Sequence, residues 1–153
     1  MPITFDHTIP TTLSRDALWA LLRQSFRNSD ESPIWPHELE TVRSAAVEPG
    51  ALVRAIYRGP LGFNAQAEYR FAEVEPGRRL RYEAAASHPL RGGGLVEIEP
   101  TDAGSLLRWR GEYRLRPRPT ALVAALFTRL YFQGRFFAEL RRRLDAHAAA
   151  QPG

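Results

Sequence analysis

Residues 105–119 read SLLRWRGEYRLRPRP, and the pattern changes at the prolines that end this stretch. Before them, apolar and charged side chains alternate, with Leu107, Trp109 and Tyr113 on one face and arginines on the other. A period of two is typical of an antiparallel strand that has one face on a core and one in water. After the prolines the apolar residues recur every three or four positions, which predicts a long amphipathic helix over 119–149.

The apolar stripe of this helix is interrupted once, by a glutamine. It consists of Leu122, Leu126, Leu130, Gln133, Phe137, Leu140 and Leu144. At about 100° per residue these positions lie close to one line on the helix surface. We therefore expect the whole stripe to face a sheet.

Upstream of this strand, the sequence predicts further strands joined by turns rich in Pro and Gly. The predicted strands are 38–47, 51–58, 62–75, 79–87, 93–100 and 105–116. The chain opens with an alternating segment at 3–9 and a helix capped by Ser14, and the proline-broken stretch 28–36 predicts a loop or a short second helix. We expect one domain over 1–150 with an α+β fold, in which a curved antiparallel sheet of about seven strands wraps around the C-terminal helix.

The composition of the 153 residues excludes several classes of protein. There is no cysteine, so disulfides, thiolate zinc sites, iron–sulfur clusters and a cysteine nucleophile are all excluded. No run approaches the roughly 20 apolar residues of a membrane span, and the N-terminus lacks the basic and apolar segments of a signal peptide. We therefore expect a cytoplasmic protein without a transmembrane segment.

All 21 basic residues are arginines, and the formal net charge is +4. Much of the arginine alternates with glutamate or apolar residues on predicted strands, which is typical of a solvated sheet face. No aromatic residues are interleaved with the arginine clusters at 114–118 and 141–143, so we expect no nucleic-acid partner. The alternative is peripheral contact with an anionic membrane or an acidic partner, which Tyr131 and Phe132 would assist because they lie off the apolar stripe.

Several segments resemble a known family. They are residues 5–10 leading into 17–22, Trp35-Pro36 before the second strand, 71–80, and the turn and strand at 99–109. In this order they resemble the START-like helix-grip superfamily, also called SRPBCC, which includes polyketide cyclases and lipid-transfer domains. The resemblance covers nearly the whole chain and implies a deep cavity for a hydrophobic or amphipathic small molecule. We expect no cofactor.

Aromatic side chains of the predicted sheet are the candidates for lining that cavity. With one arginine they form the predicted site: Trp35, Arg54, Tyr57, Phe63, Tyr69, Tyr82, Trp109 and Tyr113. Tyrosine hydroxyls there would orient the polar end of a ligand, and Arg54 would pair with a ligand carboxylate if its side chain points inward. The neighbours of Arg54 do not settle which way it faces.

The polar residues show no catalytic constellation. The candidates are His7, His37, His88 and His147 and the carboxylate pairs Glu38/Glu40 and Glu97/Glu99. The histidines lack metal-ligand spacing, so we expect no metal site, and the carboxylate pairs suit an exposed strand face. His37 and His88 lie at predicted strand ends, where the mouth of a cavity would place them for general acid–base chemistry.

The leading hypothesis is the binding of a lipid- or polyketide-like small molecule between the sheet and the C-terminal helix. One alternative is a polyketide cyclase or aromatase, in which the same cavity orients a reactive chain and His37, His88 or a buried tyrosine moves protons. Another is a co-chaperone or partner-binding module that uses Tyr131 and Phe132. The sequence leaves these alternatives open, together with the choice between a monomer and a homodimer.

Overall fold

The strands form one curved, seven-stranded antiparallel sheet in the computed structural model, which describes residues 2–27, 34–35, 39–42, 47–58 and 64–150. In chain order the elements are β1 (Ile3–Thr11), α1 (Arg15–Arg27), β2 (Leu39–Val42), β3 (Leu52–Arg58), β4 (Asn64–Glu75), β5 (Arg79–Ala84), β6 (Leu90–Thr101), β7 (Gly104–Leu115), α2 (Ala121–Phe127), a π-helical segment (Thr128–Phe136) and α3 (Phe137–Ala150). The strand order along the sheet is β1-β7-β6-β5-β4-β3-β2. The predicted α+β fold, with an antiparallel sheet and a long C-terminal helix, is therefore confirmed.

The alternation in the sequence places one face of the sheet on the core. In β7, Leu107, Trp109 and Tyr113 are buried, while the arginines between them lie on the other face. The antiparallel register continues both faces from strand to strand. The charged face carries ion pairs such as Arg110 Nη2 to Glu97 Oε1 at 3.0 Å. Because partly exposed ion pairs contribute little to stability, the apolar face is what holds the sheet against the helices.

The triple glycine at 92–94 lies inside β6, although the sequence predicts a hairpin there. Gly94 pairs with Gly111 of β7, and these two glycines are flanked on the neighbouring strands by Tyr82 and Phe5. A Cβ on Gly111 would come within 2.6 Å of the Phe5 ring, and one on Gly94 would collide with the Tyr82 hydroxyl. The glycines therefore make room for two aromatic rings that lie across the core face.

The turn between β5 and β6 also differs from the prediction. Strand β5 ends at Ala84 rather than at residue 87, so the turn spans residues 85–89. His88 N donates a hydrogen bond to the Ala85 carbonyl at 3.0 Å, which closes the turn. His88 is therefore held in a turn at the edge of the core.

Helix α1 begins where the sequence predicts it. The Ser14 hydroxyl accepts a hydrogen bond from Ala17 N at 3.1 Å, which satisfies one of the unpaired donors of the first turn. Near the other end of the helix, the Ser25 carbonyl accepts a hydrogen bond from Trp35 Nε1 at 3.0 Å. This bond ties Trp35, which follows the helix in sequence, to the same core.

The C-terminal helix spans Ala121–Ala150, but only its second half buries the predicted stripe. The buried members are Phe137, Leu140 and Leu144, while Leu122, Leu126 and Leu130 are 73%, 59% and 70% exposed. The expectation that the whole stripe faces the sheet is therefore wrong. The π-helical segment is the reason. Its i→i+5 hydrogen bonds put more residues into each turn than an α-helix has, so residues before and after the segment no longer lie on one line drawn at 100° per residue.

Candidate functional site

An aromatic core fills the space between the sheet, α1 and the C-terminal helix. Its members are Phe26, Trp35, Phe71, Trp109, Phe136 and Phe137, all of them buried. The Trp109 ring lies 5.5 Å from the rings of Phe136 and Phe137 and nearly perpendicular to both, and it lies 6.0 Å from the Trp35 ring. Edge-to-face contacts of this kind are a favourable geometry for aromatic rings. The end of the π-helical segment therefore packs directly on β7.

Beside this core, three tyrosines and one histidine bring their polar atoms together, and we call them the hydroxyl cluster. They are Tyr69 of β4, Tyr82 of β5, Tyr113 of β7 and His88 of the turn between β5 and β6. Trp109 Nε1 donates a hydrogen bond to the Tyr82 hydroxyl at 2.8 Å, and His88 Nε2 lies 3.2 Å from the Tyr69 hydroxyl. Tyr82, His88 and Tyr113 are buried and Tyr69 is partly buried. The cluster is thus a group of polar atoms on the otherwise apolar face of the sheet.

Hydrogen bonds fix the protonation of the His88 ring. Leu90 N donates to His88 Nδ1 at 2.9 Å, so Nδ1 carries no proton and the neutral ring carries its proton on Nε2. Nε2 is therefore the donor to the Tyr69 hydroxyl. Burial lowers the pKa of His88 to about 4, and the nearby charges of Arg116 and Arg118 act in the same direction. The ring is neutral at neutral pH.

The same two arginines hold the turn that carries His88. Arg116 Nε donates to the Leu90 carbonyl at 3.2 Å. Arg118 donates from Nη1 to the His88 carbonyl at 3.2 Å and from Nη2 to the Ala86 carbonyl at 2.8 Å. These bonds satisfy carbonyl groups of the turn and fix the backbone on which the His88 ring is mounted.

The hydroxyl cluster holds more hydrogen-bond donors than acceptors. Burial raises the pKa of Tyr69 to about 12 and raises the pKa values of Tyr82 and Tyr113 as well, so all three hydroxyls keep their protons. The oxygens of Tyr69 and Tyr82 already accept hydrogen bonds from His88 and Trp109. The Tyr113 hydroxyl lies close enough to the Tyr69 and Tyr82 hydroxyls to lower the pKa of each as a hydrogen-bond donor does, yet it is buried and meets hydrogen-bonding geometry with neither of them in the described part of the chain. The cluster therefore suits a group that only accepts hydrogen bonds.

The structure brings together five of the eight residues that the sequence predicts for the site. Trp35 and Trp109 lie in the aromatic core, and Tyr69, Tyr82 and Tyr113 lie in the hydroxyl cluster. Neighbouring strands place Tyr69, Tyr82, Trp109 and Tyr113 on one face because each occupies an inward position of the alternation.

Two of the other three predicted residues, Tyr57 and Arg54, are not part of this assembly. Tyr57 is partly buried and its ring lies 4.9 Å from that of Phe127 in α2. Arg54 is exposed on the opposite face of β3, with its guanidinium 3.7 Å from the Glu68 carboxylate. Its side chain does not point inward, so it does not reach the hydroxyl cluster. Outside the described residues lie Phe63 and His37, together with the side chains of Tyr131 and Phe132.

Sequence reasoning missed Phe136 and the environment of His88. At 100° per residue Phe137 continues the apolar stripe and Phe136 does not, but the π-helical segment brings both rings onto Trp109. The sequence places His88 at a strand end and says nothing of its ring. Only the long-range pairing of β4 through β7 brings that ring next to two tyrosines.

The remaining polar candidates do not assemble into a site within the described residues. His7 stacks on Phe137 with ring centroids 3.9 Å apart, and burial lowers its pKa. Glu97 pairs with Arg110, and Glu99 is exposed. Across the described ranges, no group of three His, Asp or Glu side chains is placed to hold a metal ion. The pair Glu38/Glu40 cannot be assigned, because Glu38 and the side chain of Glu40 lie outside the described residues.

A concavity of about 880 Å³ lies on the outer, charged face of the sheet. Its lining includes the glycines at 92–94 and the charged side chains of Asp6, Arg81, Arg110 and Glu112. These charges are paired with neighbours, as in the 2.7 Å contact between Arg108 and Asp6. The concavity is therefore bordered by charged side chains on the outer face and is not the cavity between sheet and helix that the sequence predicts.

Comparison with known proteins establishes the family. The sequence pattern of the family described as polyketide cyclase / dehydrase and lipid transport matches residues 2–149. The chain belongs to this family. The match includes every strand of the sheet and nearly all of the C-terminal helix, and it bears out the resemblance to the START-like helix-grip superfamily. A search of curated proteins finds no match.

Solved structures share the fold of this member of the polyketide cyclase / dehydrase and lipid transport family. A protein from Chromobacterium violaceum superposes with a TM-score of 0.70 at 13% identity, covering 97% of this chain and 99% of the other. A protein from Rhodobacter sphaeroides gives 0.68 at 19% identity, covering 97% and 93%. The di-domain ARO/CYC StfQ from the steffimycin biosynthetic pathway gives 0.70 at 17% identity, covering 97% of this chain and 51% of that one. At these identities the likeness concerns the fold alone.

Proposed function

We propose that the protein binds a hydrophobic or amphipathic small molecule, lipid- or polyketide-like, between the sheet and the C-terminal helix of a domain formed by residues 1–150. The apolar part of the ligand contacts the aromatic core, and its polar end accepts hydrogen bonds from the hydroxyl cluster. The observation that carries the proposal is the buried Tyr113 hydroxyl, which interacts with the Tyr69 and Tyr82 hydroxyls but meets hydrogen-bonding geometry with neither. Membership of the polyketide cyclase / dehydrase and lipid transport family supports it.

The energetics of that hydroxyl favour a ligand over a purely structural role. A buried polar group that loses its hydrogen bond costs about 1–3 kcal/mol. A phenylalanine at position 113 would fill the same volume without this cost. A ketone, ester or carboxylate oxygen is an acceptor without a donor, so it matches a cluster of hydroxyl donors. The ligand class is therefore one that carries an acceptor oxygen at one end of an apolar body.

Binding requires the aromatic core to open, because its rings are in contact around Trp109. The π-helical segment, which carries Phe136, is the element that covers this region. Extended π-helical geometry is rare and is often found at functional sites. We expect the ligand to displace the side chains of Phe136 and Trp35 from the space that they fill beside Trp109.

Native mass spectrometry of the purified protein, before and after organic extraction, is the first test. A retained mass of a few hundred daltons that extraction removes would support the proposal and give the chemical class of the ligand. The extracted protein is then titrated with a fluorescent fatty acid. We expect Tyr113→Phe to weaken this probe about tenfold or more, since one hydrogen bond to its ionised carboxylate is lost.

Tyr57→Phe is the matched control, because Tyr57 lies against Phe127 and not in the hydroxyl cluster. It should bind the probe as the unaltered protein does. The proposal fails if nothing is retained and neither fatty acids nor hydrophobic dyes bind above background.

An enzymatic role in the same cavity is the second candidate, and the His88–Tyr69 pair favours it. The Tyr69 hydroxyl, which accepts a hydrogen bond from His88 Nε2, can donate a hydrogen bond to a substrate carbonyl and stabilise negative charge that develops there. The likeness in fold to the di-domain ARO/CYC StfQ adds a reason to test cyclisation. The assay is turnover of a poly-β-keto substrate, in which His88→Gln should lower kcat more than KM. Turnover that survives both His88→Gln and Tyr69→Phe would show that this pair does not stabilise charge on the reacting substrate.

A further inference from the structure

The first half of the C-terminal helix turns its large apolar side chains outward. Leu122, Val123, Leu126 and Leu130 are 73%, 59%, 59% and 70% exposed, and we call them the leucine face. On its other side the helix places small residues toward the sheet, with Ala121 buried and Ala124 and Ala125 partly buried against the core. A helix whose apolar side chains contact only the core turns the large ones toward the sheet. The leucine face is therefore available for contact with something outside the chain.

The sequence around this face carries charge of one sign. Between Glu112 and Glu139 it contains five arginines and no acidic residue, and of the five Arg114 pairs with Glu112. Arg129 is exposed, next to Leu130, and no carboxylate pairs with it among the described residues. Arg118 donates to two backbone carbonyls, and no carboxylate of the described residues pairs with it. The leucine face therefore lies in a positive field that favours an anionic partner.

A second copy of the chain is disfavoured as that partner. A two-fold contact would bring the leucine face onto itself, together with the same arginines and no acidic residue to offset them. A folded protein partner is also a poorer fit, because leucine and valine are under-represented among the residues that anchor protein interfaces. Exposed leucines with flanking arginines are instead typical of a helix that lies in the interface of an anionic bilayer.

We propose that the leucine face docks the protein on the surface of a membrane that contains anionic lipids, with Leu122, Leu126 and Leu130 inserted among the acyl chains and Arg129 beside the headgroups. Within the described residues, no helix is long and apolar enough to cross a bilayer, so this contact is peripheral. The docking does not depend on the small-molecule ligand. A chain that binds no ligand would still bind vesicles, so the two proposals fail separately.

Co-sedimentation with vesicles tests the docking. The purified chain is mixed with phosphatidylcholine vesicles, or with vesicles that also contain about 30% phosphatidylglycerol, an anionic lipid. We expect binding to the anionic vesicles only, weakened as the salt concentration rises because salt screens the arginine contacts. Leu126→Ser should weaken this binding about tenfold, since the acyl region no longer takes up a leucine side chain.

Matched controls separate the docking from general effects. Leu52→Ser removes another exposed leucine, 46% exposed and on β3, and should leave vesicle binding unchanged. Arg129→Gln should weaken binding about fivefold, whereas Arg141→Gln, which makes the same charge change on α3, should not. All four positions are exposed, so we expect unchanged circular dichroism and thermal unfolding.

Three results would overturn the docking. The first is equal binding to neutral and anionic vesicles. The second is equal binding by Leu126→Ser and Leu52→Ser. The third is a dimer in sedimentation velocity that Leu126→Ser dissociates, because the leucine face would then be the contact between two copies of the chain.

Discussion

The indole of Trp109 on β7 donates a hydrogen bond to the hydroxyl of Tyr82 on β5, across the strand that separates them. The bond spans β6 because Gly94, the residue of β6 that pairs with Tyr82, has no side chain in the path of the Tyr82 ring. One glycine thus allows two distant strands to share a buried polar contact. The same contact joins the aromatic core to the hydroxyl cluster.

Substitution of Gly94 by alanine should destabilise the fold. The new Cβ would collide with the Tyr82 ring, and moving that ring breaks its bond with Trp109. We expect a loss of about 2–3 kcal/mol in the free energy of unfolding, which is typical of overpacking in a core. Urea unfolding followed by tryptophan fluorescence measures it. Gly134→Ala is the control, because a Cβ there meets open space and should leave stability equal or slightly higher.

Two conservative changes in the hydroxyl cluster should have opposite effects on the ligand-free protein. Tyr82→Phe removes the acceptor of the Trp109 indole N–H and should cost about 1–3 kcal/mol. Tyr113→Phe removes a hydroxyl that has no partner at hydrogen-bonding geometry and should be neutral or stabilising. Urea unfolding of both variants at neutral pH compares them. Equal destabilisation by the two changes would mean that the Tyr113 hydroxyl is hydrogen-bonded in the empty protein.

Most of the sheet could be predicted from sequence because its determinants are local. Alternation in segments such as 107–115, with turn residues between them, specifies strands, and β2 to β7 follow one another through successive hairpins, whereas β1 pairs with β7 at long range. Alternation also placed Tyr82, Trp109 and Tyr113 on one face. Alternation did not decide which face of the sheet Arg54 occupies, because the residues on both sides of it are small or apolar. Only the pairing of β3 with β4 places Arg54 next to Glu68.

The C-terminal helix and the hydroxyl cluster depend on non-local facts. Helical periodicity assumes one constant angle per residue, and the π-helical segment at Thr128–Phe136 violates that assumption. The leucines before it therefore face outward, and Phe136 faces Trp109. The partner of His88 is Tyr69, 19 positions earlier in the sequence, and no local pattern encodes that contact.

The stability of the protein should fall between pH 6.5 and about pH 4 because of His88. Its pKa is lowered from 6.5 to about 4 in the folded chain, chiefly by burial. Above pH 6.5 the ring is neutral in both states and contributes no pH dependence. As the pH falls below 6.5, the His88 ring binds a proton in the unfolded chain but stays neutral in the folded chain, so unfolding becomes more favourable. The full effect is about 3 kcal/mol.

The measurement is the free energy of unfolding in urea across this pH range, for the unaltered protein and for His88→Gln. Carboxylates titrate in the same range in both proteins, so the difference between the two curves isolates His88. We expect the unaltered protein to lose stability relative to the variant as the pH falls. Parallel curves would show that folding does not lower the pKa of His88.

Discrimination between a long-chain methyl ketone and the alkane of the same length should depend on the hydroxyl cluster. Both probes offer the aromatic core the same apolar body, but only the ketone has an oxygen to accept hydrogen bonds from Tyr69 and Tyr113. We expect the ketone to bind about tenfold more tightly, as measured by quenching of tryptophan fluorescence. The double variant Tyr69→Phe/Tyr113→Phe should bind the alkane at least as well as before and lose the preference for the ketone. A preference that survives in this variant would place the ketone oxygen away from the cluster, and the unpartnered hydroxyl of Tyr113 would then need another explanation.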